Sequence, residues 1–121
     1  MVNAGLARVA SRLGSETLKA FKYGAIGIGT TAATDSDTAC ESQILTRIKS
    51  TFTTDTTAAT GDTGKWVTQF TSDTTSYAVT EYATCETASG VPILNHVTFA
   101  AITLNLDDIL QFTYTMQAQE A

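Results

Sequence analysis

The chain has 121 residues, of which 43% are hydrophobic, 16% charged, 24 Thr and one Pro, with a net charge of −5. That length suits one domain able to bury about two-thirds of its unfolded surface, so a core can form without metal or disulfide support. The acid excess argues against a phosphate-facing surface, which needs clustered Lys and Arg, and no apolar run approaches the ~20 residues that cross a bilayer.

The charge is unevenly spread. Residues 1–22 hold Arg8, Arg12, Lys19 and Lys22 against Glu16, whereas from residue 51 onward Lys65 alone stands against eight acids. A basic lead segment on an acidic body points to contact with an acidic protein surface, including that of a neighbouring copy. Residues 1–20 lack the unbroken apolar centre of a signal peptide, so the chain is expected to be made and kept in a cytoplasm.

NAGLARVASRLG places Leu6, Val9, Ala10 and Leu13 on one helical face, with Asn3 as cap and Gly14 as terminator. So short an amphipathic helix must dock on its own sheet or on a partner. A first strand is expected over 19–28. Thr38 and Glu41 match a capping box, which predicts a short helical turn over 38–46. Alternation then predicts a strand over 46–53, followed by an exposed Thr-, Ala- and Asp-rich loop over 53–64.

KWVTQFT sets Trp66, Thr68 and Phe70 on one strand face. SYAVTEYAT sets Tyr77, Val79 and Glu81 opposite Ala78, Thr80 and Tyr82, and ETASGVP supplies a turn. PILNHVTFAAITLNL reads as one long strand or one bent near Ala100. After a turn at Asp107 and Asp108, ILQFTYTMQ places Leu110, Phe112, Tyr114 and Met116 on one face. The abundant Thr fits these strands, since a β-branched side chain suits a pleated, half-exposed surface.

About six strands after one helix, with no helices between them, exclude a parallel sheet wound through crossovers. The expected fold is mainly β, an antiparallel β-sandwich or small barrel with one short N-terminal amphipathic helix. It forms a single domain, with the helix or arm over 1–14 and the sheets over 19–121.

The run GAIGIGTTA resembles a dinucleotide-binding turn but lacks its context. No helix starts at the glycines, and a Lys occupies residue 49, near where that fold needs an acid. Gly27 and Gly29 are instead expected to permit a bulge or a close backbone approach.

His96, the only His, reads as a polar outward strand residue with no nucleophile assigned to it. Cys40 and Cys85 are too few and too far apart for a zinc site even with His96, and in a reducing compartment they default to buried thiols. Asp35 with Asp37, and Asp107 with Asp108, are better explained by loop backbone than by a Ca²⁺ site, which needs six or more oxygens. No catalytic, cofactor-binding or metal-binding residue is assigned.

The order FKYGAIGIGTTAATDSDTACESQI, then VTEYATCETASGVPILNHVTF, then LDDILQFTYTMQ resembles a group of small tailed-bacteriophage virion proteins. These run as an amphipathic helix, a strand ending in G-x-G-T, an Ala/Ser/Thr loop, D-T-A-L and a Glu. Their second half carries T-E-A-G-L-F-x-A-x-G-G, an aliphatic run, T-F, and a last strand after G-D or D-D. Members are β-sandwich modules serving as head decoration proteins, head fibres, or tail fibre and baseplate pieces.

The resemblance implies a non-enzymatic virion structural protein, assembled in the host cytoplasm. A capsid decoration protein that clamps major capsid subunits is the leading reading. The expected partners are the major capsid protein and further copies of the chain, in a homo-oligomer taken as a trimer, without nucleic acid or membrane. Leu6, Arg8, Arg12, Lys19 and Lys22 are the candidate contact residues, with loops 53–64 and 86–92 facing outward. The alternative is a tail fibre or baseplate component in which Trp66, Tyr77 and Tyr82 meet a surface glycan.

Two departures from the family pattern matter. Cys40 stands where D-T-A-L has Leu, and Cys85 stands near the aromatic of A-G-L-F. Either the two thiols bond outside the cell, closing a loop of about 46 residues worth about 4 kcal/mol in chain entropy, or they remain separate small apolar groups. The family's double Gly is replaced by Gly90-Val91, so its turn geometry is in doubt there.

Overall fold

The computed structural model describes residues 1–14, 20–74, 76–90 and 92–118. One helix, α1 (Asn3–Arg12), precedes seven strands: β1 (Tyr23–Gly27), β2 (Gln43–Lys49), β3 (Thr51–Asp55), β4 (Thr63–Thr71), β5 (Tyr77–Cys85), β6 (Ile93–Leu104) and β7 (Ile109–Gln117). They form two sheets, ordered β2-β1-β5-β6 and β3-β4-β7, and every pairing is antiparallel. The expected β-sandwich with a short N-terminal helix is the fold observed.

The run predicted as one strand over 46–53 is two strands in different sheets. It breaks at Ser50, whose N–H donates to Lys22 O and whose hydroxyl lies 2.6 Å from Thr68 Oγ1. Both side chains are buried, so this hydroxyl pair satisfies each where the chain steps between sheets. The helical turn expected over 38–46 is absent. Gln43–Lys49 is strand, and the Glu41 carboxylate accepts from Thr30 and Thr31 N–H rather than capping a helix at Thr38.

Among the described residues, three register shifts interrupt the four-stranded sheet, two of them wide. Between Ile44 and Ile48, β2 takes four steps against two on β1, and Leu45 adopts φ 57° there. Between Thr98 and Ile102, β6 takes four steps against two on β5, around the expected bend at Ala100. The simple alternation read for β5 does not hold: Val79 and Tyr82 share one core cluster.

The intersheet core joins Ile26, Phe70, Val79, Tyr82 and Leu104, with Phe112 stacked on Tyr82 at 4.6 Å between ring centroids. Trp66, Phe21 and Leu94 continue it, and Trp66 Nε1–H donates to Phe21 O at 2.7 Å. A separate cluster of Val2, Ala25, Cys40, Ala83, Cys85 and Ile93 lies where the helix entry and the 28–42 loop cover the four-stranded sheet. Residues 81–86 are all buried for this reason, since β5 is central and covered on both sides.

The helix docks through a face rotated from the one its periodicity suggested, with only Val9 of that stripe packed on the core. Val2 and Gly5 are buried, whereas Leu6 and Leu13 are 54% and 88% exposed. A side chain at residue 5 would run into the Leu94 carbonyl, so Gly is what lets the helix reach β6. The cap position falls on Val2 rather than Asn3, without a side-chain hydrogen bond. Val2 N–H donates to Leu94 O, and Asn3 N–H to Asp35 O.

Candidate functional site

The glycine turn is a cradle, and the chain's own Glu81 fills it. The Glu81 carboxylate is 1% exposed and accepts backbone N–H bonds from Gly29 (2.8 Å), Glu41 (2.7 Å) and Ser42 (2.8 Å). A methyl at Gly27 would collide with Glu81 Oε2 and Ser42 O, and one at Gly29 would lie 2.5 Å from Glu41 Cβ and Glu81 Oε2. The expected close backbone approach is thus present, with an internal carboxylate as its object.

His96 is not the outward residue that the sequence suggested. Its side chain is 4% exposed, with Nε2 2.7 Å from Glu81 Oε1 and Nδ1 2.6 Å from Asp37 Oδ2. Both ring nitrogens face carboxylates, so both must carry hydrogen for both contacts to be hydrogen bonds, which is the imidazolium form. Burial alone would lower its pKa, but the bonds to Asp37 and Glu81 outweigh that and raise it. Glu81 behaves in mirror image: burial pushes it up, and the N–H donors from Ser42 and Glu41 with His96 bring it down. Asp37 is lowered by His96 and by the Thr34 N–H.

Asp37, His96 and Cys40 border a cleft of about 350 Å³, together with Thr31, Ala32, Ser36, Thr38, Ala39 and Glu41. The ligand atoms of Cys40, Glu81 and His96 all lie within 4.8 Å of one another. The sequence discounted a zinc site because Cys40 and Cys85 are too few and too far apart even with His96, and it did not consider Glu81 as a ligand. One signal was available: an acid within the apolar, β-branched run of β5, facing a Gly-x-Gly turn.

The candidate contact residues do not share one role. Arg8 fastens the helix to the body, with Nε and Nη2 on the two Glu86 oxygens at 2.6 and 2.7 Å. Lys22 is held by its backbone, donating to Cys85 O and accepting from Ser50 N–H. Lys19 lies outside the described residues. Leu6 is exposed, while half-buried Arg12 and the largely exposed Leu13 border an apolar cleft with Val9, Phe21, Phe52, Trp66, Leu94 and Met116.

Of the stretches expected to be outward loops, residues 53–61 are exposed, but 53–55 belong to β3 and 63–64 to β4, so the loop is shorter than expected. The turn after β5 faces outward only in part. Glu86 is buried, and Arg47 Nη1 donates to Thr87 O and Gly90 O, tying the turn to β2. Gly90 takes φ +85°, the left-handed region that glycine favours, and Val91 lies outside the described residues. Trp66 and Tyr82 are 6% and 2% exposed, which corrects their reading as a glycan platform.

Cys40 and Cys85 share one apolar cluster as free thiols. Burial, then the nearby Glu81 carboxylate, pushes Cys40 up to about 12, and burial pushes Cys85 up to about 11. Among the described residues no helix is long and apolar enough to cross a membrane. Compared with family models, with curated proteins and with solved structures, the chain matches none.

Proposed function

We propose that this chain is a structural protein of a tailed-phage virion, a capsid decoration protein that adheres to the major capsid protein on an assembled head. The observation that carries this reading is the pair of exposed leucines on α1 and at its C-terminal end. The helix is anchored by Val2, Gly5 and the Arg8–Glu86 pair, yet Leu6 and Leu13 remain exposed along the edge of its docked face, Leu13 at the lip of the apolar cleft beside Val9 and Trp66. A helix held rigidly on a sandwich, with large apolar side chains turned to water, is pre-organised for an apolar groove on a partner. Basic residues of the lead segment add attraction to an acidic surface. Several copies acting through one oligomer would multiply a modest contact.

Deleting residues 1–14 would be a poor test, because Val2 belongs to the core. The double substitution Leu6→Asp/Leu13→Asp leaves that anchor intact. Added to heads lacking this chain, the wild-type protein should saturate them, and the folded variant should bind at least tenfold more weakly. Equal occupancy by the two would refute the assignment.

A further inference from the structure

We propose that Cys40, Glu81 and His96 form a binding site for a borderline-soft divalent ion, Zn²⁺ above all, which clasps the 28–42 loop to β5 and β6. Thiolate, imidazole and carboxylate are the three donor types that Zn²⁺ takes in proteins. Here they come from three separate segments. Their ligand atoms already lie within 4.8 Å of one another. Tetrahedral coordination at about 2.0–2.3 Å needs ligands roughly 3.3–3.8 Å apart. An adjustment of about 1 Å supplies it: Cys40 moves in, and the 2.7 Å contact between His96 Nε2 and Glu81 Oε1 opens.

The surroundings are those of a metal site in three further respects. Asp37 already bonds His96 Nδ1 at 2.6 Å, the carboxylate–imidazole arrangement that fixes the tautomer leaving Nε2 for a metal. The Glu41 N–H on Glu81 Oε1 and the Gly29 and Ser42 N–H groups on Oε2 orient the ligating carboxylate. Cys40 and His96 line a cleft open to solvent, which gives an ion an entry path and leaves room for water as fourth ligand.

Ion and proton compete for the same place. In the metal-free state the Nε2 hydrogen bridges His96 to Glu81, and Cys40 holds its thiol hydrogen. Binding one M²⁺ forms M–N, M–S and M–O bonds and releases those two protons to solvent. The ligand charges, one thiolate and one carboxylate, balance the dication.

The test is titration of the chelator-stripped full chain with Co²⁺, which reports thiolate ligation by absorption. One equivalent should produce a thiolate-to-cobalt charge-transfer band and visible bands of tetrahedral intensity, and Zn²⁺ should bleach both. Cys40→Ala should abolish the charge-transfer band and Cys85→Ala should keep it. Asp37→Asn, which touches no metal, should weaken Zn²⁺ binding about 10- to 100-fold. A folded wild-type protein without the charge-transfer band, or a band that survives Cys40→Ala or is lost in folded Cys85→Ala, would overturn the proposal.

Discussion

Glu81 shows how much one buried charge can organise. Three backbone N–H groups and an imidazolium converge on it, so removing the carboxylate strands four donors at once. Glu81→Ala should destabilise the metal-free protein by about 3–5 kcal/mol in urea unfolding, the range for breaking a buried ionic pair from one side. Gly29→Ala should act in the same direction, because its methyl would press on the same oxygen. Asp62 is the exposed counterpart. It accepts N–H bonds from Ala59, Thr57 and Ala58, which hold its carboxyl well below the usual range. A depressed carboxyl contributes stability above its unfolded pKa of about 3.9, and that contribution fades as pH falls further toward the folded value. Urea midpoints at pH 7 and pH 3 should therefore differ more for the wild type than for Asp62→Asn.

Among the elements, β4 and β7 were legible because strict period-two alternation survives wherever a strand has one core face. Trp66, Thr68 and Phe70 are all buried, as their spacing required, and the tight turn at Asp107 and Asp108 is present, with Asp107 at φ 68°. The break at Ser50 was not legible, since a hydroxyl that bonds across to Thr68 looks in sequence like any strand residue. Nor was the site. His96 and Glu81 each fit an outward polar position, and only the 28–42 loop folding over β5 makes them buried. The helix failed differently: Leu6 and Leu13 satisfy a helical stripe, but the lack of a side chain at Gly5 decides which face docks. Gly5→Val should lift α1 from β6 and uncover Trp66, the only Trp, because Val9 packs on its cluster. Its fluorescence should shift to longer wavelength, while Leu6→Asp, away from the Trp66 cleft, leaves it unchanged.

At the scale of the whole molecule, two sheets share one core, so they should melt together. Phe70 lies in β4 and contacts a cluster that includes Ile26 of β1, Tyr82 of β5 and Phe112 of β7. Phe70→Ala should lower stability by about 3–5 kcal/mol and shift the far-ultraviolet and Trp66 signals through one coincident transition. A rigid sandwich of this kind suits a role in which many copies adhere to a repeating surface, each presenting the same pair of exposed leucines. The direct test is a count of copies per purified virion by quantitative mass spectrometry. A decoration protein should be found in hundreds, retained on heads separated from tails. A handful of copies that travel with the tail would contradict that role and transfer the chain to the fibre or baseplate.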